Sequence, residues 1–117
     1  MELTLKQKIK IIAKFDGWRN NGIWYFQDEK NLYFRFGGLK YHTSMNWLLK
    51  AVYKFRNLRF KDDYNHATHQ HKVEFLIYPV CWSLNYEAAI ENTFEKLVEA
   101  IIWFNKIKNN NENNNNK

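Results

Sequence analysis

KVEFLIYPV, residues 72–80, is the clearest strand candidate in the sequence, and the expected order of elements turns on it. Val73, Phe75 and Ile77 alternate with Leu76 and Tyr78, and β-branched and aromatic residues crowd the stretch. It reads as a strand that ends at Pro79 or lies at a sheet edge, because proline cannot donate to a ladder. Upstream, LRF (58–60) is a candidate short strand and KDDYNHATHQH (61–71) reads as loop. Two further aromatic runs, IWYFQ (23–27) and NLYFRF (31–36), are joined by the polar DEKN (28–31) and read as a β-hairpin. Apolar or aromatic side chains fall on both faces of these strands, so the second face, with Trp24, Phe26, Tyr33 and Tyr78, is either covered by helices or used for binding.

Helices surround these runs. Thr4 and Gln7 have capping-box spacing, Leu5, Ile9, Ile12 and Ala13 share one face, and Asp16-Gly17 ends the first helix. A second helix follows Gly37-Gly38, with Thr43 or Ser44 as N-cap and Trp47, Leu48, Ala51, Val52 and Phe55 on its apolar face. The last helix begins at Asn85 and runs to about residue 107. Its apolar arc, from Ile90 through Phe94, Leu97, Val98 and Ile101 to Trp103 and Ile107, is wide enough to meet more than one surface. Glu87, Glu91, Glu95 and Glu99 line the rest at i,i+4 spacing and call for a basic neighbour. The expected order is α-β-β-α-β-α. The class is α+β, with a three- or four-stranded, mainly antiparallel sheet sandwiched between helices. Residues 1–108 form one domain, and 109–117 form an Asn-rich tail expected to be disordered.

The chain has 117 residues and a net charge of +6. The charge is uneven: residues 1–72 hold 14 Lys/Arg against 6 Asp/Glu, while residues 73–117 hold 4 against 6. A basic front suits either a polyanion or an acidic element of the same or another copy of the chain. Cys81 is the one cysteine, so no intrachain disulfide forms and a reducing compartment is expected. MELTLKQKIKII has no apolar run of signal-peptide length, and no stretch approaches a membrane span. The expectation is a soluble, cytoplasmic protein that does not enter the membrane.

LKYHTSMNWLLKAVYKF (39–55) resembles a segment of small uncharacterised phage and prophage proteins, in which a Tyr-His-x-Ser-Trp-Asp-Trp-Leu pattern opens the central helix. Tyr41, His42, Ser44, Trp47 and Leu48 match, whereas Met45 and Asn46 replace the first Trp and the Asp. KIIAKFDGW (10–18) and EKLVEAIIWFN (95–105) are similar to that group's first and last helices. The three segments cover under half of the chain. The resemblance implies a helix–sheet–helix sandwich of the phage ABA-sandwich type and a host cytoplasmic location, and it implies no activity.

The candidate site residues are few. NHATHQHK (65–72) places His66, His69 and His71 within six positions, and His69 and His71 would share a face of an extended strand. With Asp62 or Asp63 they could ligate zinc, but the spacing matches no structural-zinc pattern, so solvated loop histidines are expected and no metal. Tyr41, His42, Ser44 and Trp47 belong to the motif before the second helix. There His42 either faces a ligand beside free backbone N–H groups or fixes the turn. Arg35 could hold phosphates among aromatic strands, and Trp103 could anchor a dimer seam. No P-loop, GxGxxG, HExxH or nucleophile elbow occurs, so neither enzyme activity nor a cofactor is expected. Two function classes remain. One is a non-catalytic phage-type accessory protein that binds a protein partner or small ligand, possibly as a homodimer. The other is a small basic nucleic-acid-binding module using aromatic and Lys/Arg residues.

Overall fold

A computed structural model describes residues 2–27, 32–82 and 85–115, the side chains of 32, 33, 75, 77–82 and 110–115 excepted. Helix α1 (Leu5–Phe15) is started by the Thr4–Gln7 capping box. The Thr4 hydroxyl accepts from the Gln7 backbone N–H, and Gln7 Oε1 accepts from that of Thr4. The helix stops at Asp16. Gly17 then takes a φ of +93°, a conformation open to glycine at little steric cost.

Three antiparallel strands follow in sequence order: β1 (Arg19–Asn20), β2 (Trp24–Gln27) and β3 (Leu32–Arg35). The expected hairpin of β2 and β3 is present, and DEKN (28–31) lies outside the described residues. β1, at Arg19–Asn20, is a strand not expected from the sequence. Its turn into β2 is built by asparagines. Asn20 Oδ1 accepts from Gly22 N–H at 2.7 Å, and Asn21 Oδ1 accepts from Trp24 N–H at 2.9 Å. Gly22 sits at φ +104°.

After a 3-10 turn at Phe36–Gly38 the chain enters α2 (Met45–Arg56), α3 (Asp63–Trp82) and α4 (Tyr86–Asn115). Ser44 is the N-cap residue of α2, without a side-chain hydrogen bond. Asn85 begins α4 as expected, its Oδ1 accepting from Ala88 N–H at 2.7 Å.

Helix α3 overturns the reading of the middle of the chain. KVEFLIYPV is helical, KDDYNHATHQH is helical from Asp63 onward, and LRF (58–60) is not a strand. The element order is therefore α-β-β-β-α-α-α, not α-β-β-α-β-α, within the same α+β class. Two physical signals favour the helix. Asp62 caps it, its Oδ1 accepting from Asn65 N–H at 2.7 Å. In addition, His69, Val73 and Leu76, spaced i, i+4, i+7, are buried together. These outweigh the strand preference of single residues, which is a weak prior against packing. Pro79 lies within α3, where it lacks the N–H that a helix interior uses. Helix α4 extends beyond residue 107 through Asn115, and residues 116–117 are outside the described part.

The core lies between the helices. Ile12 and Ala13 of α1, Leu48, Ala51 and Phe55 of α2, Leu76 of α3, and Leu97 and Ile101 of α4 are buried in one cluster. α4 packs on each of the other three helices, which explains its wide apolar arc. Its glutamate row meets a basic neighbour on α1: Lys8 Nζ donates to both carboxylate oxygens of Glu95 at 2.8 Å. No helix among the described residues is long and apolar enough to cross a membrane.

Candidate nucleic-acid interface

The strand register sorts the sheet's residues between its two faces. Trp24 pairs with Arg35, and Phe26 pairs with both Arg19 and Tyr33, so these positions share one face. Tyr25 pairs with Asn20 and Phe34, which occupy the other.

The Tyr25 face meets the helices. Trp18, just after α1, stacks on Trp47 of α2 with centroids 5.9 Å apart, and Phe34 meets both edge-on at 5.6 Å. Tyr41 joins this group against Trp47 at 5.3 Å. Its hydroxyl accepts from Trp18 Nε1 at 2.8 Å and donates to Asp16 Oδ2. Burial, followed by the hydrogen bond and the negative charge of Asp16, raises the Tyr41 hydroxyl far above the ordinary tyrosine range. Burial raises Tyr25 as well. Gln27 Nε2 donates to the Asp16 carbonyl at 3.0 Å and ties β2 to the end of α1.

The Trp24 face is different. Trp24 is 39 % exposed, Arg19 and Arg35 are exposed, and Phe26 is half-buried. The Arg35 guanidinium carbon lies 5.4 Å from the Trp24 ring centroid, and that of Arg19 lies 5.5 Å from Phe26. Each pair is a flat cation against a flat ring, held across a strand pair. Such a surface offers π-faces for bases and fixed positive charge for phosphates. The side chain of Tyr33, the fifth position on this face, is outside the described residues. Tyr78, expected on the same face, is instead placed in α3.

The other candidate residues are dispersed. Tyr41 and Trp47 build the Trp18 cluster, and Ser44 begins α2. His42 is half-buried, and its Nδ1 has no hydrogen-bond partner among the described residues. Trp103 lies against Phe55 at 6.5 Å and Phe60 at 5.5 Å, with Lys72 Nζ 5.3 Å above its ring. The anchor expected for a dimer seam is thus packed within the chain.

The three histidines do not share a face. On α3, His69 and His71 are two residues apart and point about 200° apart, since a helix turns every 3.6 residues. His69 is 1 % exposed, sits between Phe55 and Phe60, and its Nε2 lies 2.7 Å from the Phe55 carbonyl oxygen. That contact gives the Phe55 carbonyl, which also accepts from Leu58 N–H at 3.2 Å, a side-chain donor, and it requires the proton on Nε2. His66 and His71 are exposed, and His71 Nδ1 lies 4.0 Å from Glu74. Among the described residues no group of three or more His, Cys, Asp or Glu side chains is placed to hold a metal.

Arg35 is among the site residues expected from the sequence, and Arg19 is not. The signal was Asn21-Gly22, a tight-turn dipeptide ahead of an aromatic run, which brings Arg19 back alongside Phe26. No protein-family model, no curated protein and no solved structure matches the chain.

Proposed function

We propose that this chain is a non-catalytic binding protein whose open sheet face takes single-stranded nucleic acid. The observation that carries the reading is the exposed Trp24 ring under the Arg35 guanidinium, continued along the face by Phe26 and Arg19. Bases stack on aromatic rings and guanidinium planes whatever their sequence, at about 1–3 kcal/mol per base. The excess of positive charge in residues 1–72, which include all three strands, favours a polyanion at this face. A protein partner or homodimer held along α4 has less behind it, because Trp103 is occupied by Phe55 and Phe60.

The test is tryptophan fluorescence during titration with mixed-sequence single-stranded oligonucleotides. Two or three phosphate contacts should weaken binding about tenfold between roughly 50 and 200 mM salt. Trp24→Ala should weaken it by a further tenfold or so, the loss of one stacked base. Absence of saturable quenching at low salt, or equal affinity for Trp24→Ala, would overturn the proposal.

A further inference from the structure

We infer that a cleft sharing no residue with the sheet face binds a small amphipathic anion: an apolar body carrying a phosphate or carboxylate group. The cleft has a volume of about 580 Å³ and is lined by residues of α1, of α2 and the segment after it, and of α4. That size falls within the range of small-molecule sites.

Its chemistry is two-sided. Phe15, Leu58 and Phe104 supply the apolar lining, the two phenyl rings meeting edge to face at 6.0 Å. Lys14, Lys54 and Lys108 supply the charge, and among the described residues no Asp or Glu lines the cleft. The ion pairs among described residues use Lys8, His71 and Lys96, not these three lysines. Lys54 Nζ lies 5.7 Å from the Phe15 ring centroid, so a cation stands directly over the apolar lining. Three like charges around one cleft repel, and an anion among them relieves that repulsion. Charge alone would suit inorganic phosphate, and the phenyl rings alone would suit a neutral hydrocarbon. Only a molecule with both parts uses the whole cleft. The three lysines come from three helices, so the site exists only in the folded chain.

The experiment is calorimetric titration of the full chain with naphthyl phosphate, with naphthol and inorganic phosphate as the separate halves. The Lys14→Gln/Lys108→Gln variant serves as the site control, since both side chains are exposed and circular dichroism can verify its fold. The expected result is one saturable site for naphthyl phosphate, weaker binding of either half, and a loss of about tenfold in the variant, as for two exposed charge contacts. No saturable binding, equal binding by either half, or an unchanged affinity in the variant would overturn the assignment. Displacement of naphthyl phosphate by oligouridylate would also overturn it, because the cleft would then belong to the path of a strand. Oligonucleotide affinity of the Trp24→Ala protein is read separately, so failure of the sheet-face reading leaves this test intact.

Discussion

Tyr41→Phe tests the joint between α1, the sheet and α2. The phenyl ring of the variant retains the packing against Trp47, so only the hydroxyl is lost. That hydroxyl is the hydrogen-bond partner of both the Trp18 indole N–H and the Asp16 carboxylate. A hydrogen bond to a charged acceptor contributes about 1.5–3 kcal/mol, and an indole N–H left buried without a partner costs about 1 kcal/mol or more. Burying a phenyl in place of a phenol offsets part of this, so the expected loss is about 3 kcal/mol. For a domain of this length that is roughly 10 °C in Tm. Urea unfolding followed by far-ultraviolet circular dichroism should show a lower midpoint at unchanged slope. Asp16→Asn should couple to Tyr41→Phe by about 1–2 kcal/mol in a double-mutant cycle. A cost below about 0.5 kcal/mol, or strict additivity of the two changes, would refute the argument. The pH dependence has a defined sign. The folded state keeps the Tyr41 proton well above the ordinary range, while the unfolded chain releases it near pH 10. The stability this group contributes is fully present below about pH 10 and is lost as pH rises above it. Tyrosinate absorbance for Tyr41 should therefore appear only with unfolding, and the alkaline loss of stability should be shallower in Tyr41→Phe.

Three further outcomes follow from the packing. Lys8→Met should cost no more than about 1 kcal/mol, with the cost shrinking at high salt, because the Lys8 and Glu95 side chains are 24 % and 45 % exposed. Urea midpoints at two ionic strengths check this. His69→Ala should destabilise by about 2–4 kcal/mol, mainly through lost packing between Phe55 and Phe60, since the Phe55 carbonyl keeps the Leu58 N–H as a partner, and zinc should leave the Tm of the parent protein unchanged. Trp103→Glu should lower stability by about 3 kcal/mol or more, because it places a carboxylate against Phe55 and Phe60. Light scattering across the same samples would expose any change in mass, which packing within the chain does not predict.

Short-range chemistry was legible in the sequence. The Thr4–Gln7 box, the Asn85 cap and the β2–β3 hairpin depend on neighbours a few positions apart, and each is where the residues place it. Residues 72–80 were not. Their alternation of Val, Phe and Ile fits a strand, and the helical stripe that competes with it passes through His69, a residue no apolar pattern counts. Asp62 was the available signal, a good N-cap ahead of a long polar run. The Trp24 face of the sheet was half legible. Alternation placed Trp24 and Phe26 together, but only the register shows that Arg35 and Arg19 stand over them. The lysine cleft had no sequence signature, because Lys14, Lys54 and Lys108 are brought together by helix packing alone.

The most direct test of the proposed nucleic-acid face is photocrosslinking of the full chain to a thiouridine-substituted single-stranded oligonucleotide, with the crosslinked peptides mapped by mass spectrometry. Crosslinks concentrated in Arg19–Gln27 and Leu32–Phe36, and lost at roughly 200 mM salt, are the predicted result. Crosslinks confined to α2, α3 or α4, or none at low salt, would contradict it.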